Sequence, residues 1–369
     1  MKESFSKFDF YRGVSAVVVV LAHACQVFLY NIELVSDYKF YISNLAVFAV
    51  VLFFLLSGFL VTKSIISNHR KYSRFDWIDY LSSRLARIYP PFVFSMVVVF
   101  FVYLIVYWLG LPGSAINPFS EKISSSFGRE IYSISVREYF SSFLMLGGLH
   151  SLNGPLWSLY YEFQLYILAM LLSCGLLNKK VVPLMAFFVL FIFLFYLRIE
   201  FLVYSFIWFL GASIAIFGER QWCRRLLLVL GSLGFILVVT VAGFGLHENY
   251  FWGGEFWFVG VLSMAILFSI VIFYMDFAFS GIFVQVADFS YTLYIVHFPL
   301  MSFTLSVAVL SGEGDSLWWG GAVIGVSLSF AISWVAARYL ERAKLFKPHF
   351  CYLLKMGEGA IRRGAVRLY

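Results

Sequence analysis

The segment Phe8–Phe28, FDFYRGVSAVVVVLAHACQVF, decides the fold. From Gly13 to Ala22 it offers only apolar or small side chains, yet Asp9 and Arg12 stand before that run and His23 directly after it. A bilayer crossing by a helix needs about 20 predominantly apolar residues. This segment is long enough only if the ionisable groups enter the membrane with it. The rest of the chain agrees with that reading. Of its 369 residues, 62% are hydrophobic and 13% charged, and the mean hydropathy is +0.88. Such usage lies far outside that of soluble domains. The 44 Phe, 23 Tyr and 10 Trp suit lipid-facing surfaces and interfacial belts. Lys2, Lys7 and the AHAC of Ala22–Cys25 imitate a cleavable leader. His23 fits a cleavage site poorly, however, and the apolar character resumes beyond it.

Further runs of spanning length predict an all-α polytopic membrane protein with ten crossings, near 9–30, 43–66, 89–110, 155–175, 181–197, 201–217, 226–245, 256–275, 290–310 and 317–339. The crowded pair between Val181 and Phe217 needs a turn at Arg198 and Glu200. With both termini in the cytoplasm, most Lys and Arg of the connecting loops fall on the inner side, Lys63, Arg70, Lys71, Arg74, Lys179, Lys180, Arg220 and Arg224 among them. Residues 1–340 form the membrane-embedded domain. Residues 341–369 form a short basic cytoplasmic tail lying near the anionic inner leaflet. The segment 67–88 is an inner connector and 111–153 a long outer loop, while His150, His247 and Glu248 read as solvated loop residues. The net charge of +7 is scattered between apolar spans, which speaks against a nucleic-acid partner. Cys25, Cys174, Cys223 and Cys351 show neither disulfide pairing nor metal-ligand spacing, so no metal is expected.

Ionisable groups inside spans are costly and normally face the protein interior or a wet cavity. Arg12 and His23 are eleven residues apart, about 1100° of helical rotation, so they differ by only about 20° and line one wall roughly 16 Å apart. Asp9, three residues before Arg12, is placed to pair with it. Glu162, in NGPLWSLYYEFQLYI, falls about two turns into the fourth span, close to the depth inferred for His23, where it can orient the imidazole. Arg84 and Arg87 in YLSSRLARIYPPF share a helical face and suit a phosphate clamp. Ser290, Tyr294 and His297 recur at successive turns of ADFSYTLYIVHFPL, which suggests a lining.

Together these stretches resemble the acyltransferase 3 family of integral membrane acyltransferases. The Arg-x10-His pattern appears as Arg12 and His23, FFLLSGFL at Phe53–Leu60 is similar to the second-helix motif, and Arg84 and Arg87 stand where the paired arginines stand. Trp157, Ser158, Leu159 and Glu162 match the Trp-Ser/Thr-Leu-x-x-Glu element, and SYTLYIVHFP matches the late Ser-Tyr-x-Leu-Tyr-x-x-His-x-Pro element. Phe10 and Tyr11 depart from the smaller residues usual before Arg12, and the chain resembles the members without an appended extracytoplasmic domain.

The resemblance implies transfer of an acyl group, most often acetyl, from cytoplasmic acyl-CoA to a hydroxyl of a glycan or glycolipid, in a bacterial inner membrane. On that reading Arg12, Arg84 and Arg87 hold the donor's phosphates, with Tyr294 and His297 contacting its thioester or amides. His23 is the general base or a transient acyl carrier, and Glu162 assists it. Asp9, Asn153, Trp157 and Ser158 are assigned to the acceptor. The competing reading is a carrier or flippase for a lipid-linked saccharide, in which the same groups are substrate or proton sites.

Overall fold

The computed structural model describes residues 2–243, 254–275, 281–312 and 314–366. Eleven long helices follow one another: α1 (Lys2–Val27), α2 (Lys39–Tyr72), α3 (Trp77–Trp108), α4 (Trp157–Leu177), α5 (Val181–Leu197), α6 (Ile199–Phe217), α7 (Gln221–Gly243), α8 (Trp257–Tyr274), α9 (Ser290–Ser311), α10 (Asp315–Leu340) and α11 (Ala343–Val366). Among the described residues nine helices are long and apolar enough to cross a membrane, and α5, with 17 residues, is a shorter apolar one. The protein is thus an all-α polytopic membrane protein, and each of the ten expected crossings corresponds to one helix. The crowded pair is two helices, divided where Arg198 takes an extended backbone. The end of the expected 226–245 crossing, His247 and Glu248 lie outside the described residues.

The inner connector expected over 67–88 is only a corner. Helix α2 continues to Tyr72, Ser73 turns the chain through the left-handed region at φ 56°, and α3 begins at Trp77. Asp76 caps α3, its carboxylate accepting from the N–H groups of Ile78 and Asp79, each at 3.0 Å. The Asn68 amide closes the corner on the Asp76 backbone at 2.9 and 3.2 Å. Hydropathy misplaces this start because the first three turns of α3 are polar on one face. Arg84 and Arg87 therefore lie inside α3, as do Pro90 and Pro91.

The long outer loop also differs from a simple connector. It holds the helices Glu121–Phe127 and Val136–Phe143, the second opened by a Ser135–Glu138 capping box. After them the chain dips into the bundle: Leu149, Leu152, Asn153, Pro155 and Leu156 are all buried. A backbone buried this way must find hydrogen-bond partners, and α9 supplies the complement. Pro299 has no N–H to give the Ile295 carbonyl four residues earlier. That carbonyl accepts instead from the Asn153 amide at 2.9 Å and from the Ser95 hydroxyl at 2.6 Å. Asn153→Ala removes one of these donors, and thermal unfolding in detergent is expected to show a loss of about 1–3 kcal/mol, with Asn153→Asp no better. A stability equal to the parent protein would show that the dipping loop does not depend on this bond.

Small residues let the helices approach. A Cβ on Gly58 of α2 would run into the backbone of Trp208 in α6, and one on Gly211 of α6 would meet the backbone of Leu55. Two reciprocal main-chain contacts have no side chain that can swing away. Gly211→Val should therefore cost about 3 kcal/mol, the upper end of the overpacking range, read as a lower unfolding temperature. Helix α5 exposes Val182, Met185, Val189, Ile192 and Phe193 on its outer surface, as lipid contact requires.

The expected basic tail is not loose. α11 packs along α3, with Lys347 paired to Asp79 at 2.7 Å and Phe350 6.2 Å from the Tyr89 ring centre. Its other face exposes Leu345, Tyr352, Leu353 and Met356, the pattern of a helix lying in a membrane interface.

Candidate active site

The site is built on α1 and α9, which run parallel and touch at two levels. At the first, Arg12 of α1 pairs with Asp9 at 3.0 Å, as its i, i+3 spacing predicts, and reaches the start of α9. There its guanidinium donates to the Ala287 carbonyl and the Ser290 hydroxyl, both at 3.3 Å. Helix α9 lacks a side-chain cap of its own, since Phe289 holds the N-cap position. Glu341, just past α10, supplies one: its carboxylate accepts from Thr292 N–H at 2.8 Å and from Thr292 Oγ1 at 2.7 Å. Burial pushes the Glu341 carboxyl above the ordinary range, against the Thr292 bonds and the cations of Arg12 and Arg87, which hold it down. Sequence reasoning passed over Glu341. The available signal was one acid in the otherwise basic run from Arg338 to Lys347.

Arg12 and Arg87 line a small pocket of about 60 Å³ with Glu162, Tyr166, Tyr291, Tyr294 and Ser158. Glu162 accepts from Ser57 Oγ at 2.8 Å and from Tyr166 Oη at 2.5 Å, and the Trp208 indole N–H donates to Ser57 at 3.3 Å. Glu162 thus belongs to the level of the arginines, not to that of His23. The reason is the dip before α4. The residues preceding α4 are already inside the bundle, where Tyr294 Oη donates to the Pro155 carbonyl at 3.1 Å and meets Ser158 Oγ at 2.6 Å. Glu162 lies one further turn along α4.

His23 meets His297 at the second level. Nδ1 of His23 and Nε2 of His297 are 2.8 Å apart, with the rings nearly parallel. The other nitrogen of His297, Nδ1, lies 3.0 Å from the Leu293 carbonyl, which can only accept, so Nδ1 carries the proton. In a neutral His297, Nε2 is then an acceptor, and Nδ1 of His23 must donate to it. When His23 is itself neutral, its Nε2 keeps the lone pair, with no hydrogen-bond partner among the described residues, the form a general base requires. His297 is wholly buried and His23 half-buried. The Phe298 ring stands edge-on to both, and on it rests the guanidinium of Arg129 from the outer loop, 5.6 Å from the ring centre. Arg129 Nη1 is enclosed and has no hydrogen-bond partner among the described residues. Burial lowers this guanidinium from its ordinary value. Nothing in the spacing of Arg129 marks it as a neighbour of the histidines, since the loop fold alone brings it there.

Three expected site residues take other places. Arg84 is buried with its guanidinium 5.5 and 5.6 Å from the ring centres of Tyr80 and Tyr166, so it supports Tyr166 from behind and does not line the pocket beside Arg87. The two arginines, about 60° apart around α3, therefore have different neighbours and do not form a clamp on this pocket. Asn153 is fully buried at the Ile295 carbonyl. Trp157 packs on Tyr161 and Tyr204, with ring centres 5.5 and 5.0 Å away, outside the pocket wall.

A family model described as an acyltransferase domain, that of acyltransferase 3, matches residues 5–338. The chain belongs to the acyltransferase 3 family. The match takes in both levels of the site up to Arg338, with Glu341 three residues beyond it. Among curated proteins, an O-acetyl transferase of Shigella phage Sf6 is 27% identical over 183 residues, 47% of this chain and 47% of that protein. The aligned part is thus about half the length of that relative. No solved structure matches. The family membership expected from Arg12, His23, Trp157–Glu162 and Ser290–Pro299 is borne out.

Proposed function

We propose that this acyltransferase 3 family member moves an acyl group, acetyl in the first instance, from acyl-CoA to a hydroxyl of a glycan or glycolipid. The observation that carries the reading is the His23–His297 pair, whose hydrogen bonds engage Nδ1 of His23 and turn its Nε2 into the free end of the pair, the lone-pair nitrogen of a neutral ring. The phage relative, by its name an acetyl transferase acting at oxygen, supports the same chemistry. The distribution of Lys and Arg supports both termini in the cytoplasm, in a bacterial inner membrane, with the Arg12 level facing the donor's compartment.

A sugar hydroxyl is too weakly acidic to attack a thioester unaided. In the proposed step His23 Nε2 takes the hydroxyl proton as the oxygen forms a bond to the thioester carbonyl carbon. The carbon–sulfur bond then breaks, and the imidazolium returns the proton to the departing thiolate. His297 holds the ring and spreads the positive charge that builds on His23. Arg12 and Arg87 attract one anionic group of the donor, while Tyr294, between the two levels, lines its path. The Phe298–Arg129 edge faces the acceptor. Asp9 and Glu162 set the orientation of the arginines.

The test is release of free thiol from acetyl-CoA by the full chain in lipid nanodiscs, with and without a glycolipid extract from a bacterial envelope. Thiol release that rises with the extract supports the transfer. No release from acetyl-CoA or succinyl-CoA by a folded protein would turn the reading towards a carrier.

A further inference from the structure

A second recess opens at the same end of the bundle as Arg12, separate from the pocket of Arg12 and Arg87. It is a cleft of about 1260 Å³, bounded by α1, α2, α6, α7 and α8. Its rim carries Lys63 and Arg70 of α2 and Arg220 and Arg224 at the α6–α7 turn, with Glu219 the one acid among its described lining residues. None of these four cations forms an ion pair among the described residues. Instead three of them rest on ring faces: Lys63 on Phe59, Arg220 on Phe217 and Arg224 on Tyr274, at 5.6, 5.6 and 5.7 Å from the ring centres. The floor is an aromatic cluster of Phe8, Phe59 and Phe273, their rings tilted to one another with centre separations of 4.6–5.9 Å.

Ordinary inner-face lysines and arginines point into water from separate loops. Here, cations from separate elements converge on one hollow with an aromatic base. The size is decisive. A pocket of about 60 Å³ has room for only a few waters, at roughly 15 Å³ each. The larger cleft, at about 1260 Å³, is above the 300–1,000 Å³ typical of ligand sites and has room for a large ligand. Multiple cations beside flat rings match a group that bears several phosphates next to a planar or hydrocarbon portion.

We infer that this cleft is a binding site for a phosphate-bearing anion, the seat of either the phosphorylated nucleotide end of an acyl-CoA or the headgroup of an anionic phospholipid. The nucleotide assignment rests on the acyltransferase reading. Phe8 in the cleft and His23 are fifteen residues apart on α1, about 22 Å by helical rise. A donor anchored in the cleft must span that distance with its flexible arm.

The test compares the full chain with the variant K63A/R70A/R224A, whose three side chains are exposed. Titration with 3′,5′-adenosine bisphosphate reports the nucleotide source. Retention of anionic over neutral phospholipid on purification reports the lipid source. Nucleotide affinity weakened tenfold or more in the variant, or selective loss of the anionic lipid, supports the cleft and names its occupant. Equal nucleotide affinity and equal lipid retention in both proteins would overturn it. Thiol release separates this inference from the function it builds on. If the variant keeps both KM and kcat for acetyl-CoA, the nucleotide seat is wrong and the acyltransferase stands. If no acyl-CoA is cleaved yet the variant still loses nucleotide or lipid, the cleft stands and the acyltransferase does not.

Discussion

His23→Ala is expected to lower kcat for acyl transfer by about 10²–10⁴-fold, the range for loss of a positioned general base, with the unfolding temperature little changed. His23 is half-buried and its bond to His297 is the one polar tie it makes among the described residues. Donor binding should persist, because Arg12 lies about 16 Å away along α1 and Arg87 lines the same pocket as Arg12. His297→Ala should fall between this variant and the parent, since it frees the His23 ring to choose the wrong tautomer without removing the base. The more telling variant is His297→Gln. The amide nitrogen of Gln offers a donor where His297 Nε2 offers an acceptor, so the bond to His23 survives only if the side chain turns its oxygen inward. The measurement is thiol release against pH. A His23→Ala protein that still transfers at near-parent kcat would remove His23 from the chemistry. Parent-like pH profiles in both His297 variants would remove the tautomer argument.

The second large effect separates two arginines that sequence spacing treats as a pair. Arg87→Ala should raise the Kd for acetyl-CoA about 10- to 100-fold, the equivalent of roughly 1.5–3 kcal/mol for a hydrogen bond to a charged group, while leaving the fold intact. Arg84→Ala should do the reverse. The residue is 8% exposed and its guanidinium sits against Tyr80 and Tyr166, so truncation opens a buried gap beneath the residue that bonds Glu162. A lower unfolding temperature is expected, with donor affinity reduced only as far as Tyr166 shifts. Calorimetric titration of acetyl-CoA beside a thermal melt checks both. Equal losses of donor affinity in the two variants, with equal stability, would restore the clamp.

Much of this protein is legible without coordinates. The bilayer leaves a chain this apolar few options, because every buried backbone group must be satisfied within its own segment, and helices do that. Composition and hydropathy therefore establish an all-α polytopic protein and its ten crossings. Helical periodicity places Arg12 and His23 on one wall and pairs Asp9 with Arg12. The ordered motifs around Trp157 and Ser290 give the family. Element ends were less legible, since the polar first turns of α3 hide its start.

What only the tertiary structure decided is which groups meet. Spacing along one helix fixes rotation and rise, but depth relative to another helix depends on how the connecting chain enters the bundle. The dip of Leu149–Leu156, made possible by the carbonyl that Pro299 leaves open for Asn153, lowers α4 by enough to take Glu162 away from His23 and set it beside Arg87. His297 then takes the place beside His23, and Glu341 returns from beyond the last crossing to cap α9. These are contacts between residues 49 to 274 positions apart, and no local pattern in the sequence encodes them.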